Sequence, residues 1–146
     1  MQLETKRLKL REFKRNDAEK LAKLLNNIDI TKYLAVVPHP YTIDDAQDYI
    51  ESCLKYKQKD EQPGYKFAIE HKQDSNLIGN ISIGNHHKDE GVGVLGYWVG
   101  EDYQHQGFMS EALDKVLNFG FDELVYRRIE ALVYTENKAS QKLLEK

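Results

Sequence analysis

The residues best placed to do chemistry are Gln104-His105-Gln106-Gly107-Phe108-Met109-Ser110. They follow an apolar run, Val92 to Val99, and lead into an amphipathic one, Met109 to Phe121. That order predicts a strand, a short glycine-bearing turn and a helix start. Such a junction aims successive backbone N–H groups at one spot, beside the positive end of a helix dipole. The chemistry on offer is the holding of a phosphate. The same residues also read as a plain helix entry in which Gly107 relieves a tight turn. One glycine does not separate the two readings.

The elements around this stretch follow from period and punctuation. Leu8 to Phe13 alternates apolar and charged residues and predicts a half-buried strand. Asn16 or Asp17 can cap a helix through Ala18, Leu21, Ala22, Leu24 and Leu25. Ile28 to Leu34 is ambiguous, and Pro38-His39-Pro40 forces a non-helical connection. Thr42 and Asp45 form a capping box ahead of a helix carrying Ala46, Tyr49, Ile50, Cys53 and Leu54 on one face. The period then changes. Tyr65–Glu70 and Leu77–Ile83 read as a hairpin across a polar turn, and His86 to Glu90 as a polar loop. Val92–Val99 is a third strand, in which Gly93 and Gly96 suggest a bulge or a close approach to the backbone. Past the central helix come a strand, Arg128–Tyr134, and a last helix opening at Asn137. The result is one mixed α/β domain over residues 1–146, with some parallel pairing near its end.

Composition narrows the classes. The chain is 40% apolar and 31% charged, an ordinary globular mix. Its net charge of −3, from 21 basic and 24 acidic side chains, lacks the basic excess of a dedicated nucleic-acid binder. Cys53 is the single cysteine; its spacing puts it on an apolar helix face as a small core residue. The alternating N-terminal residues do not read as a signal peptide, and no stretch is long and apolar enough to span a membrane. A cytoplasmic protein is expected.

Taken together, the residues resemble a known family. Gln104-x-x-Gly107-x-Met109 resembles the signature of GNAT-type N-acetyltransferases. The run from Gly96-Tyr97-Trp98-Val99 through Tyr103 to Ala112 looks like the RimJ/RimL-type branch, which acts on ribosomal-protein N-termini. Leu8-x-Leu10-Arg11 and Asn137-x-x-Ser140-x-x-Leu143-Leu144 are similar to that branch as well. The resemblance spans nearly the whole chain in a fixed order. It implies a central, mixed, mostly antiparallel twisted sheet flanked by helices, and acetyl transfer from acetyl-CoA to an amine. It places the CoA pyrophosphate on the turn His105, Gln106, Gly107, Phe108, Met109 and Ser110, which Gln104 introduces. It lays the pantetheine arm along the strand end at Trp98 and Val99, at a bulge, and lets Asn137 reach that arm. Ser140 matches a residue that protonates the departing thiolate. Asn137 serves equally as a helix N-cap, and both roles can hold. Met109 replaces the usual small residue, with the expectation that it narrows the space at the pyrophosphate.

Acetyl transfer needs a neutral amine, a stabilised carbonyl oxygen and help for the leaving thiolate. A backbone N–H near Val99 suits the second task. His86, His87, Glu90 and Glu101 are available as bases, and no base is assigned among them. The acceptor is expected to be a peptide N-terminus or a small amine. Family members usually continue past the last helix with two more strands, so the chain is expected to be truncated at its C-terminal end. The strand 128–134 would then show an open edge, and a second copy is expected to cover it. The non-enzyme alternative is a CoA-binding or interaction module on the same scaffold, separable by its lack of turnover. A nucleotide-binding domain fits less well, because G-x-G-x-x-G is absent and two helices follow the first strand.

Overall fold

The computed structural model of the chain describes residues 2–31, 40–57, 64–87 and 91–131. Among these residues six strands form one sheet in chain order: β1 (Leu3–Glu4), β2 (Leu8–Arg11), β3 (Gly64–His71), β4 (Asn76–His87), β5 (Val92–Val99) and β6 (Arg128–Ala131). Neighbours run antiparallel as far as β5, and β5 pairs with β6 in parallel, Val92 opposite Arg128 and Leu95 opposite Ala131. The parallel step needs a crossover, which helix α4 (Phe108–Asp122) provides. Helices α1 (Ala18–Leu25), α2 (Ile28–Thr31) and α3 (Ile43–Lys57) come between β2 and β3. The mixed, mostly antiparallel sheet with flanking helices is thus observed.

The two sheet faces have separate cores. On one, Phe108, Met109, Ala112, Leu113, Val116 and Phe119 of α4 pack on Leu8, Leu10, Phe67, Ile69, Ile81 and Ile83. Phe119 meets Tyr65 and Phe67 edge-on, with ring centroids 5.2 and 6.1 Å apart. On the other, α1 and α3 bury Leu21, Leu25, Ala46 and Ile50 against Phe13, Ala68 and Leu77. Cys53 packs at the border of this second core, and burial pushes its thiol pKa up, as a small core residue requires. The capping box before α3 is present: Asp45 N–H donates to Thr42 Oγ1 at 3.2 Å, and Thr42 N–H to Asp45 Oδ2 at 2.9 Å.

Several expectations change. Asp17 does not cap α1 with its side chain; its carboxylate turns back onto Lys14 N–H and Arg11. β4 extends through His87, so the expected loop at His86 is strand, recruited by pairing with β5. The expected bulge in β5 is absent. β5 pairs in continuous register from Gly93 to Val99, and the register shift lies on β4 between Asn85 and His87. Gly93 answers instead to a close approach, since a Cβ there would lie 2.7 Å from the Tyr126 ring. A second shift near Ile78 lets Ile78 and Ile81, three residues apart, face the same core. β1 is too short to carry a periodic signal. Among the described residues no helix is long and apolar enough to cross a membrane. Residues 132–134 of the last predicted strand and the helix from Asn137, with Ser140, lie outside the described residues.

Tyr41 and Tyr49 flank the second core. Burial first, and then Asp45, push the Tyr41 phenol up to about 12; burial raises Tyr49 further. The native state therefore keeps both phenols neutral while an unfolded chain loses the protons near pH 10. Between pH 10 and 12 the unfolded state binds fewer protons, so stability falls as pH rises; below pH 10 the contribution is complete. Alkaline titration followed at 295 nm, alongside circular dichroism, should show these two tyrosines ionising late and together with unfolding. Ionisation of all nine tyrosines near pH 10 with an unchanged fold would contradict this.

Candidate functional site

β5 is anchored at its end by Gly100 N–H donating to Ile78 O at 2.8 Å. A 3-10 turn, Glu101–Tyr103, follows, and the chain then reverses through two left-handed residues, His105 at φ 61° and Gly107 at φ 82°. α4 starts at Phe108, and its first closing bond is Glu111 N–H to Gly107 O at 3.1 Å. The N–H groups of His105, Gly107, Phe108, Met109 and Ser110 find no acceptor among the described residues. A helix start normally gives some of these donors to a capping Ser, Thr, Asp or Asn. Gly107, standing at the N-cap, has no side chain to offer. The donors and the positive helix end are therefore left for an anion.

Side chains hold the turn from outside. Gln104 Nε2 donates to Val99 O at 3.3 Å, tying the turn to β5, and Gln106 Nε2 donates to Asp102 O at 2.9 Å. Phe108 is buried, with the Arg7 guanidinium 4.3 Å above its ring centroid and His71 edge-on at 5.0 Å. Met109 is buried in the α4 core, so its bulk is taken up there and does not narrow the turn. Ser110 is half-buried in the first helical turn, while His105, Gln106 and Gly107 are exposed.

Strand alternation separates the two residues predicted at the end of β5. Val99 packs on the α4 side and Trp98 on the side of α1 and α3. What they share toward a ligand is backbone. Among the described residues β6 pairs with β5 from Val92 to Leu95, and those pairs do not reach Trp98 and Val99. Sequence and structure thus bring Trp98, Val99 and Gln104 to Ser110 together. Asn137 and Ser140 lie outside the described residues, as do Glu90 and the side chains of His86 and His87. Glu101 is exposed and accepts a hydrogen bond from Asn27 Nδ2 at 2.7 Å.

Sequence reasoning missed Thr5, Arg7 and the role of Glu111. Glu111 lies in the first turn of α4, where its charge would oppose an anion. Its carboxylate accepts the Thr5 hydroxyl, Arg7 N–H at 2.9 Å and Arg7 Nε–H at 2.8 Å. Burial alone would raise its pKa, yet Thr5 and Arg7 outweigh that and hold the carboxyl below the usual range. No local pattern signals this group, because its members are more than a hundred residues apart.

Comparison with known proteins gives the family and the fold. The family model for an acetyltransferase (GNAT) domain matches residues 7–146. The uncharacterised N-acetyltransferase YoaA of Bacillus subtilis (strain 168) is 33% identical over 144 residues, covering 99% of this chain and 80% of that protein. Among solved structures, RimJ of Mycobacterium smegmatis in complex with CoA-disulfide superposes with a TM-score of 0.80 at 22% identity, over 94% of this chain and 68% of that one. The ribosomal-protein-S5-alanine acetyltransferase of Vibrio fischeri gives 0.78 at 20% identity, over 99% and 80%. At those identities the two structures speak for the fold.

Proposed function

Because the chain belongs to the acetyltransferase (GNAT) family, we propose that it carries the acetyl group of acetyl-CoA to a primary amine, with the turn from His105 to Ser110 holding the CoA pyrophosphate. The observation that carries this reading is the run of backbone N–H groups without acceptors among the described residues, set at the start of α4 beside the end of β5. The donor set suits a pyrophosphate: it is made of backbone N–H groups, lies at a positive helix end, and has its nearby carboxylate, Glu111, already neutralised.

Acetyl-CoA, when bound, supplies an activated thioester. The chain's own part is to orient and to stabilise. In this proposal the turn fixes one end of the co-substrate and the backbone of Trp98 and Val99 guides the other. A backbone N–H near Val99 faces the carbonyl oxygen as charge develops on it. Asn137 reaches the pantetheine arm; Ser140 gives the thiolate its proton and regains one from water, which takes up the proton that the amine sheds. Holding thioester and amine in line accounts for much of the rate. For the acceptor, a peptide α-amine is favoured over a small amine by the fold shared with enzymes whose names specify ribosomal proteins.

Thermal unfolding with acetyl-CoA, and with ATP and NAD as controls, tests the proposal. A ligand specific to the folded state adds about 2.7 kcal/mol at a hundredfold excess over its dissociation constant. A rise in midpoint with acetyl-CoA alone, followed by amine-dependent release of free thiol, is the expected result. An unchanged midpoint would remove the turn as a CoA site.

A further inference from the structure

Arg7 lies in the link between β1 and β2 and reaches the turn through four contacts. Nη1 donates to Gln106 O at 3.1 Å; Nε donates to Glu111 Oε1 at 2.8 Å; Nη2 lies 3.3 Å from where a Gly107 Cβ would stand; and the guanidinium covers the Phe108 ring. The first has a geometric consequence. In a planar trans peptide the C=O and the following N–H point in opposite directions. Holding the Gln106 carbonyl toward Arg7 therefore drives the Gly107 N–H outward on the other side. The second has an electrostatic one. Glu111 is one helical turn from the donors, and without Arg7 its charge would stand against a bound anion.

We infer that Arg7 is a positioning residue for the phosphate-holding turn: it aims the Gly107 N–H by fixing the Gln106 carbonyl, and it neutralises Glu111 so that a diphosphate meets no competing carboxylate. This rests on the reading that the turn holds the CoA pyrophosphate. Arg7 reaches the anion's surroundings through Gln106 and Glu111, and Thr5 assists by donating its hydroxyl to the same carboxylate.

The test compares acetyl-CoA with acetyl-pantetheine, which carries the same thioester and no pyrophosphate. Dissociation constants are measured by calorimetry, with displacement for the weaker ligand, for the wild type, Arg7→Lys, Arg7→Ala and Arg7→Ala/Glu111→Gln; thermal midpoints are recorded for all four. Arg7→Ala should weaken acetyl-CoA binding about tenfold, the size of a partly buried charge effect at a helix terminus. Acetyl-pantetheine binding should stay within about twofold, since it meets none of those donors. Arg7→Lys keeps the charge but loses the fork, and should fall between the wild type and Arg7→Ala. The double variant should regain part of the loss, because the uncompensated carboxylate is gone.

Equal weakening of both thioesters, in step with the thermal midpoint, would make Arg7 a plain structural staple and overturn the inference. So would unchanged acetyl-CoA binding in both Arg7→Ala and Arg7→Lys, or no recovery in the double variant. A wild type that prefers acetyl-CoA no more than acetyl-pantetheine would remove the pyrophosphate reading itself, and this inference with it.

Discussion

Replacing Gly107 by valine is expected to abolish acetyl-CoA binding and to lower acetyl transfer by about a hundredfold or more, the scale on which ångström misplacements of a bound reactant are felt. Gly107 sits at φ 82°, where a β-branched residue is a genuine outlier. The valine Cβ would also lie 3.3 Å from Arg7 Nη2, so the clamp on the turn would have to give. Either escape rotates the peptide planes on both sides of residue 107 and displaces the unpaired N–H groups of the turn. The fold should tolerate the change better than the site does. Gly107 is exposed, and one left-handed residue costs roughly 1–2 kcal/mol. The measurement is therefore a pair of thermal scans. The valine variant should unfold within a few degrees of the wild type without ligand and gain nothing from acetyl-CoA. Asparagine, which enters the left-handed region more readily, should retain part of the ligand shift. A full acetyl-CoA shift in the valine variant would show that the turn does not hold the co-substrate.

The second large effect is one of stability. Asp17 accepts two hydrogen bonds from Arg11, from Nη1 and Nη2 at 2.9 Å each, and one from Lys14 N–H at 2.7 Å. Arg11 gives its Nε–H to Glu70 at 2.9 Å and its Nη1–H to Glu12 O as well. Both side chains of the Arg11–Asp17 pair are about 10% exposed or less. Asp17→Ala would leave a buried guanidinium half compensated and a backbone donor without its acceptor. Breaking a buried pair in this way costs about 3–5 kcal/mol. At this chain length one kcal/mol moves the midpoint by about 2–4 °C, so a drop of roughly 10 °C is expected. Urea denaturation should show the same loss at an unchanged slope. Asp17→Asn keeps acceptor capacity for the Lys14 N–H and should cost less. A change of only a degree or two in the alanine variant would mean that solvent screens the pair far more than its burial implies.

Local elements were legible in the sequence because local forces make them. The 3.6-residue spacing from Ala18 to Leu25 and from Ala46 to Leu54 marks a buried helix face wherever the helix lies. The Thr42–Asp45 box acts across three residues. The turn from Gln104 to Ser110 is punctuated by its own glycine between two apolar runs, so its place as a strand-to-helix junction could be read without knowing the sheet order. Pairing and burial across distance could not be read in that way. Arg11 looks like the solvent-facing half of an alternating strand; it is buried where the entry to α1 brings Asp17 to it and the paired strand β3 brings Glu70. The glycines of β5 suggest a bulge there, yet the register shifts fall on β4, a strand held between two partners whose spacings it must reconcile.

What the sequence by itself determined, then, is the helices α1, α3 and α4, the strands from β2 to β6 in their order, and the turn between β5 and α4, since each rests on interactions within a few residues. Only the tertiary structure decided that Trp98 and Val99 serve opposite cores, and that Arg7 and Glu111, 104 residues apart, meet beneath the turn. The physical reason is that a side chain's pattern records the surroundings it prefers, while its partner is chosen by how sheet and helices close around both faces at once.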